Sequence, residues 1–294
     1  MMREIRGCGT ALVTPFTDNY EVDYDAFRVL VTRQLDAEID FLVPLGTTGE
    51  APCLEDYEKE RLLDTLVEVN NGKVPVVTGA GSNSTKQVIS GISRLSKYKP
   101  DAFLVVVPYY NKPTQEGIFQ HYKAISESTS IPVILYNVPG RTGINMTTET
   151  TLRLAGLKNI IAIKEASGNY SQVSETIRLS PAGFTVLSGI DDDTFSMMCT
   201  GAKGVISVAS NVAPSPVVKM TKLLLNGDTS EAAVLHHKLM PLFKACFIES
   251  NPIPVKAALS LLGVIRNRLR LPLTTSVLQT DQLMQKLLKE IEML

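Results

Sequence analysis

The run Asn159-Ile160-Ile161-Ala162-Ile163-Lys164-Glu165 is apolar enough to be a buried parallel strand, yet a lysine sits near its end. An unpartnered ammonium is costly to bury, so packing alone does not account for Lys164. Alternation along a strand puts Ala162 and Lys164 on one face and Ile161 and Ile163 on the other, so the amine points to where small residues leave room. Desolvation lowers a lysine's pKa, and the free amine that results can attack a carbonyl to form a Schiff base. A lysine snorkelling from a strand end is the competing account, and its surroundings must decide.

Three other segments hold residues suited to carbonyl chemistry, each directly after a short apolar run. They are Gly46-Thr47-Thr48-Gly49-Glu50, Pro108-Tyr109-Tyr110-Asn111-Lys112-Pro113, and Tyr136-Asn137-Val138-Pro139-Gly140-Arg141-Thr142-Gly143. Imine and enamine formation move protons at nearly neutral centres, which a tyrosine hydroxyl linked to threonine hydroxyls can do. Tyr136 is the natural shuttle: it shares a strand face with Ile134, and its strand immediately precedes that of Lys164. Arg141 offers a planar fork for a carboxylate, unless it is simply a surface arginine in a turn.

These segments fall on one rim only if the strands before them are parallel and adjacent. Strand-like runs occur at 9–13, 41–45, 75–78, 102–107, 133–136, 160–164, 185–187 and 204–208. Helical periodicity follows each, as at 24–37 with Phe27, Leu30, Val31 and Leu35 on one face, and at 56–70 with Leu62, Leu63, Leu66 and Val67. Eight such units predict an α/β fold, a (β/α)8 TIM barrel, with a doubly wound sheet as the alternative. Beyond them, 230–248, 254–262 and 281–293 are helical in period with no strands between, a small C-terminal all-helical extension. The expected division is a catalytic barrel over 1–226 and a helical domain over 227–294.

Composition narrows the partners. A net charge of -1 with no basic block leaves no electrostatic footprint for nucleic acid or an anionic membrane surface. The start of the chain has no apolar signal region and no later run approaches a membrane span, so cytoplasmic residence is expected. Cys8, Cys53, Cys199 and Cys246 have neither disulfide-framework nor zinc-site spacing and read as four buried thiols, and the three histidines add no ligand pattern. No cofactor is expected. Gly79-Ala80-Gly81-Ser82-Asn83-Ser84 lacks the third glycine of a dinucleotide fingerprint, and Asp191-Asp192-Asp193 disfavour a phosphate after the seventh strand.

GTTGE at 46–50, PYYNKP at 108–113, YNVPGRTG at 136–143, IKEASG at 163–168, GVISVASN at 204–211 and NPIPVKAAL at 251–259 together resemble the dihydrodipicolinate synthase family. That family lies within the pyruvate-dependent class I aldolases typified by N-acetylneuraminate lyase, and the resemblance spans essentially the whole chain. It implies that Lys164 forms an imine with pyruvate while Tyr136 shuttles protons with Thr47 and with Tyr110, the last reaching in from a neighbouring subunit. Thr48 and its turn amides would hold the pyruvate carboxylate, Arg141 would guide the carboxylate of L-aspartate 4-semialdehyde, and the backbone at Gly189 and Ile206 would line the site. The implied assembly is a homotetramer, a dimer of dimers, making 4-hydroxy-tetrahydrodipicolinate on the diaminopimelate route to lysine.

The nearest rival is an N-acetylneuraminate or 2-keto-3-deoxy sugar-acid aldolase of the same superfamily. Such enzymes tend to lack an arginine at the place of Arg141. A non-catalytic ligand-binding barrel is the rival from another class, and the Lys, Tyr, Thr and Arg set stands against it. Lysine-regulated bacterial members bind L-lysine in a pocket with histidines shortly after GTTGE and a glutamate on the helix after the third strand. Here Asn83 and Tyr109 match that pocket, but Asp56 and Lys59 stand at the histidine places and Gln87 replaces the glutamate. Feedback inhibition is therefore expected to be weak or absent.

Overall fold

The computed structural model describes residues 3–293. Its strands are β1 (Gly7–Ala11), β2 (Phe41–Val43), β3 (Val77–Gly79), β4 (Ala102–Val106), β5 (Val133–Asn137), β6 (Ile160–Glu165), β7 (Thr185–Ser188) and β8 (Gly204–Ser207). Each lies within two residues of where apolar alternation places it. Helices of the barrel are α1 (Tyr24–Asp36), α2 (Asp56–Asn70), α3 (Thr85–Leu95), α4 (Gln115–Ser128), α5 (Pro139–Thr142), α6 (Thr148–Ala155), α7 (Tyr170–Leu179), α8 (Thr194–Cys199) and α9 (Pro214–Asn226). The chain continues through α10 (Thr229–Ala245), α11 (Ile253–Leu261) and α12 (Leu278–Glu290).

All strand pairs are parallel, in the order β2-β1-β8-β7-β6-β5-β4-β3. The sheet then closes, because Leu42 N donates to Pro75 O at 3.0 Å, Gly79 N donates to Pro44 O at 2.9 Å, and Leu42 bridges Val76. This is the (β/α)8 barrel that the sequence predicts.

Alternation divides the apolar side chains into two cores. Phe41, Val43, Val77, Leu104, Ile134, Tyr136, Ala162, Leu187 and Ile206 fill the barrel interior. Val105, Val133, Leu135, Ile163, Val186 and Val205 face outward, packing with helix residues such as Leu30, Leu66, Ile118 and Val173. Gly9 makes the inner packing possible, since a Cβ there would lie 2.0 Å from the Phe41 ring.

Three details depart from simple periodicity. Ile161 packs with the interior rather than sharing the outer face with Ile163, because the β5–β6 register shifts between Val133 and Ile134 and leaves Ile161 as the extra residue. On α1 the fully buried position is Gln34 rather than Leu35, because Gln34 accepts from Thr10 Oγ1 at 2.7 Å and donates to Ser210 O at 3.0 Å. On α2 Val67 is 45% exposed, since the buried stripe runs through Leu62, Leu63, Leu66 and Asn70.

The thiols also differ from expectation. Cys8 and Cys246 are buried, Cys53 is partly covered, and Cys199, the last residue of α8, is exposed.

Helix starts follow local chemistry. Asp23 caps α1 by accepting from Ala26 N at 3.0 Å, and Glu55 with Glu58 forms a capping box on α2. Gly227, with φ 89°, ends α9, and α10 then folds back against it. The connection from α10 to α11 reaches the C-terminal rim of the barrel, where Phe247, Ile248, Ser250 and Asn251 meet the strand ends around a common cavity. Among the described residues no helix is long and apolar enough to cross a membrane.

Candidate active site

Lys164 is the fifth residue of β6, facing Tyr136 on β5 and Leu187 on β7 in register. Its side chain is nearly covered, and Nζ lies 4.4 Å from the centre of the Tyr136 ring. Burial pulls the Lys164 pKa down from 10.5 to about 8. The negative charge of Asp191 opposes that fall, and the positive charge of Arg141 adds to it.

Asp191 is itself buried behind the rim, where Ser207 Oγ donates to it at 2.5 Å and the backbone N–H groups of Val208 and Ala209 donate at 3.0 and 3.2 Å. Burial raises its pKa, and these three donors together with Lys164 oppose the rise. The neighbouring Glu165 points to the other side of β6. There it accepts from Asn137 Nδ2 at 3.1 Å and from Ser167 N at 2.8 Å, so it serves the framework rather than the amine.

Tyr136 is buried, and desolvation raises its phenol pKa to about 12, against the opposing effects of Arg141 and of the Thr47 hydroxyl. Thr47 and Thr48 lie in a single 3-10 turn directly after β2. Thr47 is open to the cavity, while Thr48 is buried and accepts from Asn251 Nδ2 at 2.9 Å, which leaves the Thr48 hydroxyl hydrogen free to be donated to a ligand. Arg141 stands on α5, at the exposed mouth.

Gly189 approaches Lys164 closely. A Cβ on it would come within 2.8 Å of Ala166 Cβ and 3.1 Å of Lys164 Cε. The cavity holds about 950 Å³ and is lined by Thr47, Thr48, Tyr136, Arg141, Lys164, Gly189 and Asn251 among others.

Six of the eight residues singled out from the sequence thus meet at one cavity. The two others do not line it. Ile206 is a buried interior residue of β8, opposite Gly9, and Val208 lines the cavity on that side. Tyr110 is 87% exposed in a left-handed turn with φ 72°, next to the lining residue Tyr109.

Sequence reasoning missed Asp191 and Asn251 as neighbours of the chemistry. Asp191 was visible only as one of three consecutive acids. Asn251 lay within the NPIPVKAAL segment, with nothing local to bring it to Thr48.

A single amine on an interior strand of a (β/α)8 barrel, beside a tyrosine and an open cavity, matches enzymes of the class I aldolase type. The model of the dihydrodipicolinate synthetase family matches residues 4–291. The 4-hydroxy-tetrahydrodipicolinate synthase of Thermotoga neapolitana is 50% identical over 289 residues, 97% of this chain and 98% of that protein. The crystal structure of dihydrodipicolinate synthase from Thermotoga maritima superposes with a TM-score of 0.97 at 47% identity, covering 98% of this chain and 99% of that one. The Acinetobacter baumannii dihydrodipicolinate synthase, solved in complex with pyruvate, gives a TM-score of 0.97 at 38% identity over 99% of this chain and 100% of that one. The chain belongs to the dihydrodipicolinate synthetase family.

Proposed function

We propose that Lys164 is the Schiff-base residue with which this chain condenses pyruvate and L-aspartate 4-semialdehyde to 4-hydroxy-tetrahydrodipicolinate, in lysine biosynthesis by the diaminopimelate route. The observation that carries the assignment is the buried amine, with its pKa near 8, facing Tyr136 across adjacent strands. The neutral amine attacks the ketone carbon of pyruvate, and loss of water leaves the imine. Loss of a methyl proton from the imine gives the enamine, whose carbon adds to the aldehyde of the second substrate. The amine of that substrate then attacks the imine carbon, closes the ring and releases Lys164.

Tyr136 carries protons between these steps, with Thr47 as its hydroxyl partner. Thr48 and the turn amides receive the pyruvate carboxylate, Arg141 receives the carboxylate of the semialdehyde at the mouth, and Gly189 keeps the space beside the amine open. The backbone at Ile206 belongs to the floor beneath. Tyr110 completes the relay from a neighbouring subunit in a homotetramer built as a dimer of dimers. Its exposure in the single chain supports that role. The same reading divides the chain into a catalytic barrel over 1–226 and a helical domain over 227–294, of which Met1, Met2 and Leu294 lie outside the described residues. It also places the enzyme in the cytoplasm.

Borohydride reduction in the presence of pyruvate tests the assignment. Peptide mass analysis should find the reduced pyruvyl adduct on Lys164 and none in Lys164→Ala. A label on any other lysine, or no label, would remove Lys164 from the mechanism. Product assays with L-aspartate 4-semialdehyde and with sugar aldehydes in parallel test the choice of second substrate.

A further inference from the structure

Glu50 and Lys256 form a fully buried ion pair at 2.5 Å, with side-chain exposures of 1% and 0%, and neither residue lines the cavity. Glu50 ends the turn that carries Thr47 and Thr48. It adopts a left-handed backbone with φ 52° and ψ 33°, a conformation that a non-glycine residue holds only when its surroundings enforce it.

The C-terminal region supplies that enforcement. Lys256 on α11 takes Glu50 Oε1 and also donates to Arg268 O at 2.8 Å, while Arg270 N donates to Glu50 Oε2 at 3.0 Å. Lys256 Nζ also lies 4.1 Å from the centre of the buried Phe16 ring, in the β1–α1 loop. On the other side of the same turn, Asn251, five residues before Lys256, donates to Thr48 Oγ1. The turn is therefore gripped at its first half by Asn251 and at its end by Lys256, from one stretch of chain.

A buried ion pair is a weak source of stability, because an apolar pair of similar volume often does as well. Its directional bonds do select one geometry, however. We propose that Glu50 and Lys256 are positioning residues, which fix the Thr47-Thr48-Gly49 turn against the C-terminal helices so that the Thr48 hydroxyl and turn amides meet the pyruvate carboxylate. This inference rests on the reading of Thr48 as the carboxylate site. It assigns to the helical region a part in substrate binding beyond covering the barrel.

The test compares Glu50→Gln/Lys256→Met, which removes both charges together, with Thr48→Ala and with Glu58→Gln. Glu58→Gln weakens the adjacent pair of the Arg270 side chain with Glu58, whose nitrogens and oxygens lie 2.6 and 2.7 Å apart, while the substitution leaves the Arg270 backbone N and its acceptor Glu50 Oε2 unaltered. Folding is followed by circular dichroism and melting, and pyruvate KM and kcat are measured separately. The folded double variant should show pyruvate KM raised at least about tenfold, as a small misplacement of binding groups produces, with Glu58→Gln within about twofold of the parent.

Pyruvate KM and kcat both within about twofold in the folded double variant, alongside a raised KM in Thr48→Ala, would overturn the positioning role alone. An unchanged KM in Thr48→Ala would overturn the carboxylate assignment beneath it. An equal KM rise in Glu58→Gln would show that general loosening, not the pair, sets the turn. If the double variant does not fold, Glu50→Asp is judged by the same numbers, since it draws the carboxylate back from Lys256 while leaving the buried ammonium its counter-charge.

Discussion

Tyr136 and Lys164 are register partners on β5 and β6, and the amine of one stands 4.4 Å from the ring centre of the other. Burial moves the two groups in opposite directions, the phenol up to about 12 and the ammonium down to about 8. Near neutral pH the phenol stays protonated and able to donate, while a useful fraction of the amine is free. One desolvated environment thus suits the phenol to the acid role and the amine to the nucleophilic role proposed for them.

A pH dependence follows from the Lys164 shift. A lysine pKa lowered to about 8 makes the neutral amine available below the range of an exposed lysine, about one tenth of it at pH 7. The initial rate of borohydride-trappable imine formation should rise with pH and level off above about 8. Asp191→Asn should move that inflection to lower pH, because it removes the negative charge that favours the ammonium. Rate–pH profiles of both proteins check this, and an inflection that stays in place or moves up would separate Asp191 from the amine.

Gly189→Ala should damage catalysis through space rather than backbone strain. The added methyl would sit 2.8 Å from Ala166 Cβ and 3.1 Å from both Glu165 O and Lys164 Cε, so Ala166 must give way and the lysine stem must yield by a few tenths of an ångström. We expect kcat/KM to fall by about tenfold, short of the roughly hundredfold loss that a full 1 Å misplacement produces. The overpacking should destabilise the fold by about 1–3 kcal/mol. Steady-state kinetics and denaturant titration of the same preparation would measure both, and near-normal kcat/KM would show that Lys164 has room that the contact distances deny.

Tyr110 should act only in an assembled enzyme. Subunits carrying Tyr110→Phe, mixed with subunits carrying Lys164→Ala, should regain part of the lost activity, since some hybrid sites receive an intact copy of both residues. Subunit exchange confirmed by mass, with no recovery of activity, would confine each site to one chain.

L-Lysine should inhibit weakly or not at all. Lys59 places a like charge where the regulated members have a histidine, and at about 5 Å with an effective dielectric near 20 this opposes the ligand by roughly 3 kcal/mol. Asp56, 3.7 Å from Lys59, offsets part of this, but it is shared with Arg94, a second cation. Gln87, in place of the glutamate, accepts from Ser82 Oγ at 2.7 Å. Initial rates at saturating pyruvate over a lysine titration test this, and strong inhibition below 1 mM, about the level of a weak ligand, would contradict it.

Local patterns in the chain determined a great deal. Eight apolar runs with helices between them determined the barrel. A barrel puts residues that follow strands onto one rim, so Thr47, Thr48, Tyr136, Arg141 and Lys164 could be expected together; Gly189 came from the family resemblance, and Tyr110, placed by the same rule, does not line the cavity. The adjacency of Tyr136 and Lys164 followed because consecutive strands of a βαβ unit are neighbours.

The tertiary structure decided what depends on contacts without a local period. Asn251 reaches Thr48 across 203 positions of sequence, and Lys256 reaches Glu50 across 206. Asp191 reaches the neighbourhood of Lys164 through donors on and just after β8. The register shift that turns Ile161 inward is a property of two paired strands and is invisible in either alone. Hydrophobic periodicity specifies which face of an element is buried, but the partner that a buried polar group finds is settled only when distant segments close around it.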